Sequence, residues 1–257
     1  MNKKLKEDIP IALFSDAPYV GGAERYLELL ASGVIEYGLR PVLVSGGGER
    51  LGPLNDAIRV MGFEVYELWE GKEPDGGFAA RLFRILAKIR PVIFHFNLPG
   101  PFDASYSFAA PIARMAGIRH IVSTEHLPMV PSFLKGRIFK SLSSIFVSRV
   151  ITVSDDNRRH LIDNHHVPDR KIRVVHNGIP RSGEVELLDI RGDLGIEAGS
   201  LILAVVGALE ERKGHGTLFE ALSRLPASVH AIAVGEGPMK GELVDRAKEL
   251  GIYDRVH

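Results

Sequence analysis

Residues 15–25, SDAPYVGGAER, set two glycines and a glutamate directly after the apolar run IPIALF. If the run is a strand and the next residues a helix, the turn offers the free N–H groups and partial positive charge that bind phosphate. Gly21 and Gly22 carry no side chain to hold a ligand off the backbone. The same residues also suit a tight turn without a ligand, with Glu24 in the first helical turn, and the turn alone leaves both readings open. STEHLP places His126 just past the end of a later apolar run, on the same rim as the glycines, which favours a site role over the alternative of a satisfied loop histidine. GALEERKGHGT (207–217) sets Arg212 and Lys213 between a strand and a helix. Cations there can clamp a phosphate or form a solvated helix start. Its Lys–Gly order reverses that of a P-loop and argues against a Walker NTPase. SGGGERLG (45–52) lacks G-x-G-x-x-G spacing and reads as a loop.

Other chemistries fare worse. The chain has no cysteine, which excludes disulfides, thiolate metal sites and cysteine nucleophiles and suits a reducing cytosol. Of the ten histidines, His160, His165 and His166 are spaced by five and six residues and do not share a helix face as i,i+4 ligands do, so no metal site is expected. His95, in FHFN, reads as a packing or hydrogen-bonding residue. With 32 basic and 32 acidic residues the formal net charge is zero, which argues against a dedicated nucleic-acid binder. IPIALF is too short for a secretory signal core, and no apolar run approaches the ~20 residues of a membrane span. The expected location is cytoplasmic.

The elements that must position these residues alternate regularly. Continuous apolar runs at 9–14, 40–45, 63–68, 91–96, 119–124, 149–154 and 171–176 read as strands buried on both faces of a parallel sheet. Amphipathic segments such as AERYLELLASGVIEYG lie between them, with Gly38 as a helix stop. This is the signature of an α/β fold with a doubly wound parallel sheet. Residues 179–199 break the rhythm and read as a linker with a short helix. Strand–helix alternation then restarts at 201–207 and 229–235, with helices over about 214–225 and 238–250. Two strands and two helices make an incomplete second Rossmann-like domain. The expected organisation is an N-terminal domain over 1–178, a linker over 179–199 and an incomplete domain over 200–257. Residues 131–150, PSFLKGRIFKSLSSIFVSRV, hold Lys135, Arg137, Lys140 and Arg149, no acid and an apolar stripe. This stretch reads either as a basic amphipathic helix able to lie on an anionic membrane from the cytoplasmic side, or as ordinary packing against the sheet.

Taken in order, GGAERYLELLASGV, the strand before His126, VITVSDDNRRHLI, KIRVVHNGI, VVGALEERKGHGTLFEAL and AVGEGP resemble the GT-B fold glycosyltransferases of the family 4 type, over nearly the whole chain. The resemblance implies a retaining transferase with two Rossmann-like domains facing across a cleft. The N-terminal domain would hold a lipid-linked or polysaccharide acceptor and the C-terminal one a nucleotide-diphosphate sugar. No essential metal or other cofactor is implied; helix N-termini and basic side chains would stabilise the departing diphosphate. By matched position, Gly21 and Gly22 would line the cleft near the diphosphate and His126 would sit by the transferring sugar. Lys213 would clamp the phosphates, with Arg212 beside it. Asn177 and Gly178 match the junction motif, and Gly235 and Gly237 a donor-side glycine pair.

Two departures accompany the resemblance. Ala208 stands where family members commonly carry Arg, so one diphosphate clamp is absent unless Arg212 compensates. The family's acidic E-x7-E element lies beyond the residues present, so a truncated enzyme is expected. The alternatives are a non-catalytic remnant that only binds, and a sugar-nucleotide epimerase of the same architecture.

Overall fold

The computed structural model describes residues 8–17, 20–47, 51–69, 76–98, 104–127, 144–179 and 188–257. The chain divides into two compact units, Met1–Ile179 and Pro180–His257.

The first unit is built on β1 (Ile9–Ser15), β2 (Leu39–Ser45), β3 (Glu64–Glu67), β4 (Ile93–Leu98), β5 (His120–Glu125), β6 (Arg149–Thr152) and β7 (Ile172–Val174). They form one parallel sheet in the order β3-β2-β1-β4-β5-β6-β7. The order reverses direction between β1 and β4. In doubly wound sheets the crevice beyond the strands' carboxyl ends opens at that point. The helices are α1 (Gly22–Val34), α2 (Gly52–Val60), α3 (Phe78–Ile89), α4 (Ala104–Met115) and α5 (Asp155–His165).

Side-chain alternation along the central strands feeds two cores. From β1, Ile11 and Leu13 pack with Leu27, Leu43, Leu54 and Ile58 on the face covered by α1 and α2. Ala12 and Phe14 point the other way, into Phe94, Phe96, Leu82, Leu86 and Ile121 under α3 and α4. Phe14 and Phe96 meet edge to face at 5.9 Å, an arrangement that aromatic quadrupoles favour. Burial on both faces explains why these strands read as unbroken apolar runs.

The second unit holds α6 (Ile190–Asp193), β8 (Leu201–Val206), α7 (His215–Ser223), β9 (Val229–Val234) and α8 (Lys240–Glu249). β8 and β9 pair in parallel, and Val256 bridges to Ala231 on β9. Phe219, Leu222, Ala231, Leu243 and Ile252 form its core. Val206 remains 76% exposed, so β8 is far less covered than the central strands of the first unit.

The segment 131–150 is described only from residue 144, where Ser144–Phe146 are helical before β6; the rest of the amphipathic helix expected there lies outside the described residues. No described helix is long and apolar enough to cross a membrane.

Candidate functional site

The carboxyl ends of β1, β4 and β5 converge at the switch point, and a buried polar network fills the space. Ser15 ends β1, and its Oγ donates to Glu24 Oε1 at 3.2 Å while accepting from the Ala17 N–H at 3.3 Å. Glu24 Oε2 accepts the Gly21 N–H at 2.9 Å. Glu24 therefore closes a capping box from the third helical position back to Gly21 at the N-cap. It is almost fully buried. Desolvation pushes its carboxyl above the usual range, opposed by hydrogen bonds from the backbone N–H groups of Gly21 and Glu24 and from Ser15.

This network sharpens the meaning of the two glycines. Gly21 has φ −129° and ψ −161°, ordinary extended backbone, and its N–H is committed to Glu24. Among the described residues, a Cβ on Gly22 would meet nothing within 4 Å. Neither the turn nor the protein packing requires glycine at 22, so what that residue leaves open is space.

His126 follows β5, and its backbone N–H donates to the Leu98 carbonyl at 3.1 Å. Its ring is fixed by Asn97, at the end of β4. Asn97 Nδ2 donates to the Ala23 carbonyl in the first turn of α1 at 2.7 Å, which turns Oδ1 toward His126 Nε2 at 3.0 Å. A carbonyl oxygen only accepts, so the network assigns the proton to Nε2 and leaves Nδ1 as the basic nitrogen. Tyr26, on α1, packs edge to face against the imidazole at 5.1 Å. His126 is pulled down to about 4 by desolvation. His95 is also pulled down to about 4, by desolvation and then by the charge of His126, and its Nε2 lies 2.8 Å from Thr124 Oγ1. Both imidazoles are neutral near pH 7. On the far side of β5, Asn157 is buried in α5 and donates Nδ2 to the Glu125 carbonyl at 2.8 Å. Ser154 caps that helix by accepting the Asn157 N–H at 3.1 Å.

The structure thus brings Gly21, Gly22 and His126 onto one rim. Asn97, Ser15 and Asn157 were not singled out from the sequence. The available signal was Asn97's place two residues after His95, on the same face and at the end of an apolar run.

The remaining expected residues belong to other elements. Asn177 and Gly178 are exposed in the coil after β7. In the second unit Lys213 ends a 3-10 turn, Glu211–Lys213, and is exposed. Its Cδ and Cε would lie 3.5 and 3.6 Å from a Cβ on Gly207. Arg212 Nε donates to Glu210 Oε2 at 2.7 Å, so its guanidinium is already paired. Gly235 and Gly237 have a packing role. A Cβ on Gly235 would stand 2.0 Å from the Gly207 carbonyl oxygen, and one on Gly237 2.5 Å from that of Leu209. The two loops are laced by bonds from Gly207 N–H to Val234 and from Leu209 N–H to Glu236. Among the described residues no cluster of three or more His, Asp or Glu side chains could hold a metal ion.

Comparison with known proteins decides the family. The model of Glycosyltransferase Family 4 matches residues 20–182, well over half of the chain. The chain belongs to glycosyltransferase family 4. A Campylobacter jejuni relative is 24% identical over 159 residues, 58% of this chain and 42% of its own length. Its name describes an N-acetylgalactosaminyltransferase acting on a diphospho-undecaprenol-linked saccharide. The chain spans less than half the length of this relative. Anabaena HepE, solved with UDP and glucose, matches with a TM-score of 0.78 at 19% identity, over 97% of this chain and 68% of that one. A UDP-N-acetylglucosamine 2-epimerase matches with a TM-score of 0.59 at 12% identity, over 98% and 68%. These two structures share the GT-B fold. The family 4 match adds what the fold alone does not.

Proposed function

We propose that this family 4 chain forms part of a retaining glycosyltransferase that moves a sugar from a nucleotide diphosphate to a lipid-linked or polysaccharide acceptor of the cell envelope. The observation that carries the reading is the His126 rim. A neutral imidazole of fixed tautomer stands at the switch point beside the open backbone of Gly22, within the segment that matches the family. The first unit binds the acceptor at this rim, and His126 hydrogen-bonds the transferring sugar rather than charging it. In the second unit, Lys213 supplies positive charge to the diphosphate. Arg212 is a weaker candidate for the clamp absent at Ala208, because it would have to leave Glu210.

The lipid-linked acceptor is suggested by the printed name of the Campylobacter relative. Membership of a longer enzyme is supported by the fraction of the relatives' length that is covered and by the exposure of β8. The test is a screen of the full-length protein against nucleotide sugars, with an undecaprenyl-diphosphate saccharide as acceptor. The reading predicts transfer with one donor and retention of anomeric configuration. Formation of an epimerised nucleotide sugar without acceptor would replace it with the epimerase, and binding without turnover would replace it with the remnant.

A further inference from the structure

The peptide group that joins Glu125 to His126 is held at both ends. Its N–H donates to the Leu98 carbonyl at 3.1 Å, which carries the β4–β5 ladder one step past the paired residues Leu98 and Glu125. A trans peptide points its C=O the opposite way, and there Asn157 Nδ2 donates to it at 2.8 Å. A carbonyl oxygen only accepts, so the orientation of the Asn157 amide is fixed as well.

The local sequence aims that amide. Ser154 is extended, with φ −153° and ψ 157°, and caps α5 by accepting the Asn157 N–H at 3.1 Å. Asp155 and Asp156 are exposed in the first turn, where acids suit the positive end of the helix. Asn157, Leu161 and His165 recur every four residues and are buried against the sheet. Asn157 is the polar member that opens this stripe, only 1% exposed. Burying an amide is costly without a partner, and the partner it has is the peptide of His126.

We propose that Asn157 is a positioning residue for His126. It acts from the far side of β5 and touches no substrate. Asn97 restrains the ring through Nε2, but it does not hold the backbone that carries the ring. Leu98 and Asn157 do so together, from opposite edges of β5, and a tilt of the peptide would displace the whole imidazole. A reacting group misplaced by about 1 Å can lose about a hundredfold in rate, and its neighbours must hold it within roughly half that distance. The inference rests on the reading of the His126 rim as the place of reaction.

The test compares three variants. Asn157→Leu removes the donor with little change in volume. Ser154→Ala keeps the donor but loosens the turn that aims it. Leu161→Ala, one turn further along the same buried face, weakens the packing of α5 and leaves the clamp in place. In the chain itself, NMR follows the His126 Nε2–H that Asn97 accepts. Its exchange with water should quicken roughly tenfold in Asn157→Leu, less in Ser154→Ala, and stay near wild type in Leu161→Ala. In the full-length enzyme, with the donor and acceptor that the nucleotide-sugar screen identifies, Asn157→Leu should lower kcat about ten- to hundredfold while KM for the donor is unchanged. Ser154→Ala should show the same pattern at smaller size, and it carries the comparison if Asn157→Leu does not fold. Leu161→Ala should lower the melting temperature and keep kcat. Equal losses of kcat in Asn157→Leu and Leu161→Ala would overturn the proposal, because lost stability would explain both. Wild-type kcat in a folded Asn157→Leu, with His126→Ala impaired, would overturn it too. Wild-type transfer by His126→Ala would instead overturn the reading of the rim, whatever the exchange of the Nε2–H shows.

Discussion

Replacing Asn97 with Asp tests the fixed imidazole directly. In the wild-type chain His126 Nε2–H donates to Asn97 Oδ1 at 3.0 Å, and Asn97 Nδ2 donates to the Ala23 carbonyl at 2.7 Å. An aspartate keeps the acceptor and makes it an anion. A carboxylate at this distance raises a histidine pKa by about 1–3 units, which would carry His126 from about 4 into the range of roughly 5–7. The same change removes the donor to Ala23 and sets two oxygens against each other, at a cost of about 1–3 kcal/mol. The assay is a long-range proton–nitrogen NMR titration of the imidazoles. It should show the Nε2–H tautomer in both proteins and a raised midpoint in the variant. Asn97→Leu should lose a similar amount of stability without raising the midpoint, which separates charge from packing. An Nδ1–H tautomer in the wild-type chain, or an unmoved midpoint in Asn97→Asp, would refute the reasoning.

Other outcomes follow from the same geometry. Gly235→Ala drives a methyl toward the Gly207 carbonyl, 2.0 Å from the ideal Cβ, and should destabilise the second unit by about 1–3 kcal/mol or more in chemical denaturation. Gly22→Val has open space around it and should leave the melting temperature nearly unchanged while abolishing transfer by the full-length enzyme. His95 and His126 have folded-state values of about 4 against 6.5 when unfolded. Between these values the unfolded chain binds more protons, so their contribution is fully present above pH 6.5 and lost as pH falls toward 4. For His95 this amounts to about 3 kcal/mol, measurable as a falling denaturation midpoint over that window. Phe14→Ala, in the centre of the larger core, should cost about 3–5 kcal/mol.

The central strands of the first unit were legible because burial on both faces writes them as continuous apolar runs, such as IPIALF and PVIFHF. The edge strand β3, expected to be buried on both faces, instead has exposed ends and only half-buried residues between them. The rim was legible too, since a glycine pair after one strand and a histidine after another identify carboxyl ends. The function of individual polar groups was not. Glu24 looked like a favourable charge in a helix's first turn, yet it is the buried partner of Gly21. That depends on how deeply α1 sits against β1, which no local pattern encodes. Asn97 bridges residues 74 and 29 positions away, and such contacts exist only after the sheet has formed. Gly235 and Gly237 matched a donor-side pair by position, but their tightest constraint is the approach of two backbones. Sequence spacing cannot separate a glycine kept for a ligand from one kept for a neighbouring loop.

The most direct measurement is transfer and nucleotide binding by the full-length protein carrying His126→Ala. The account predicts that binding of the nucleotide-sugar donor, followed by calorimetry, persists while sugar transfer falls by about two orders of magnitude or more. Transfer at the wild-type rate with a correctly folded variant would contradict the assignment of the rim as the place of reaction.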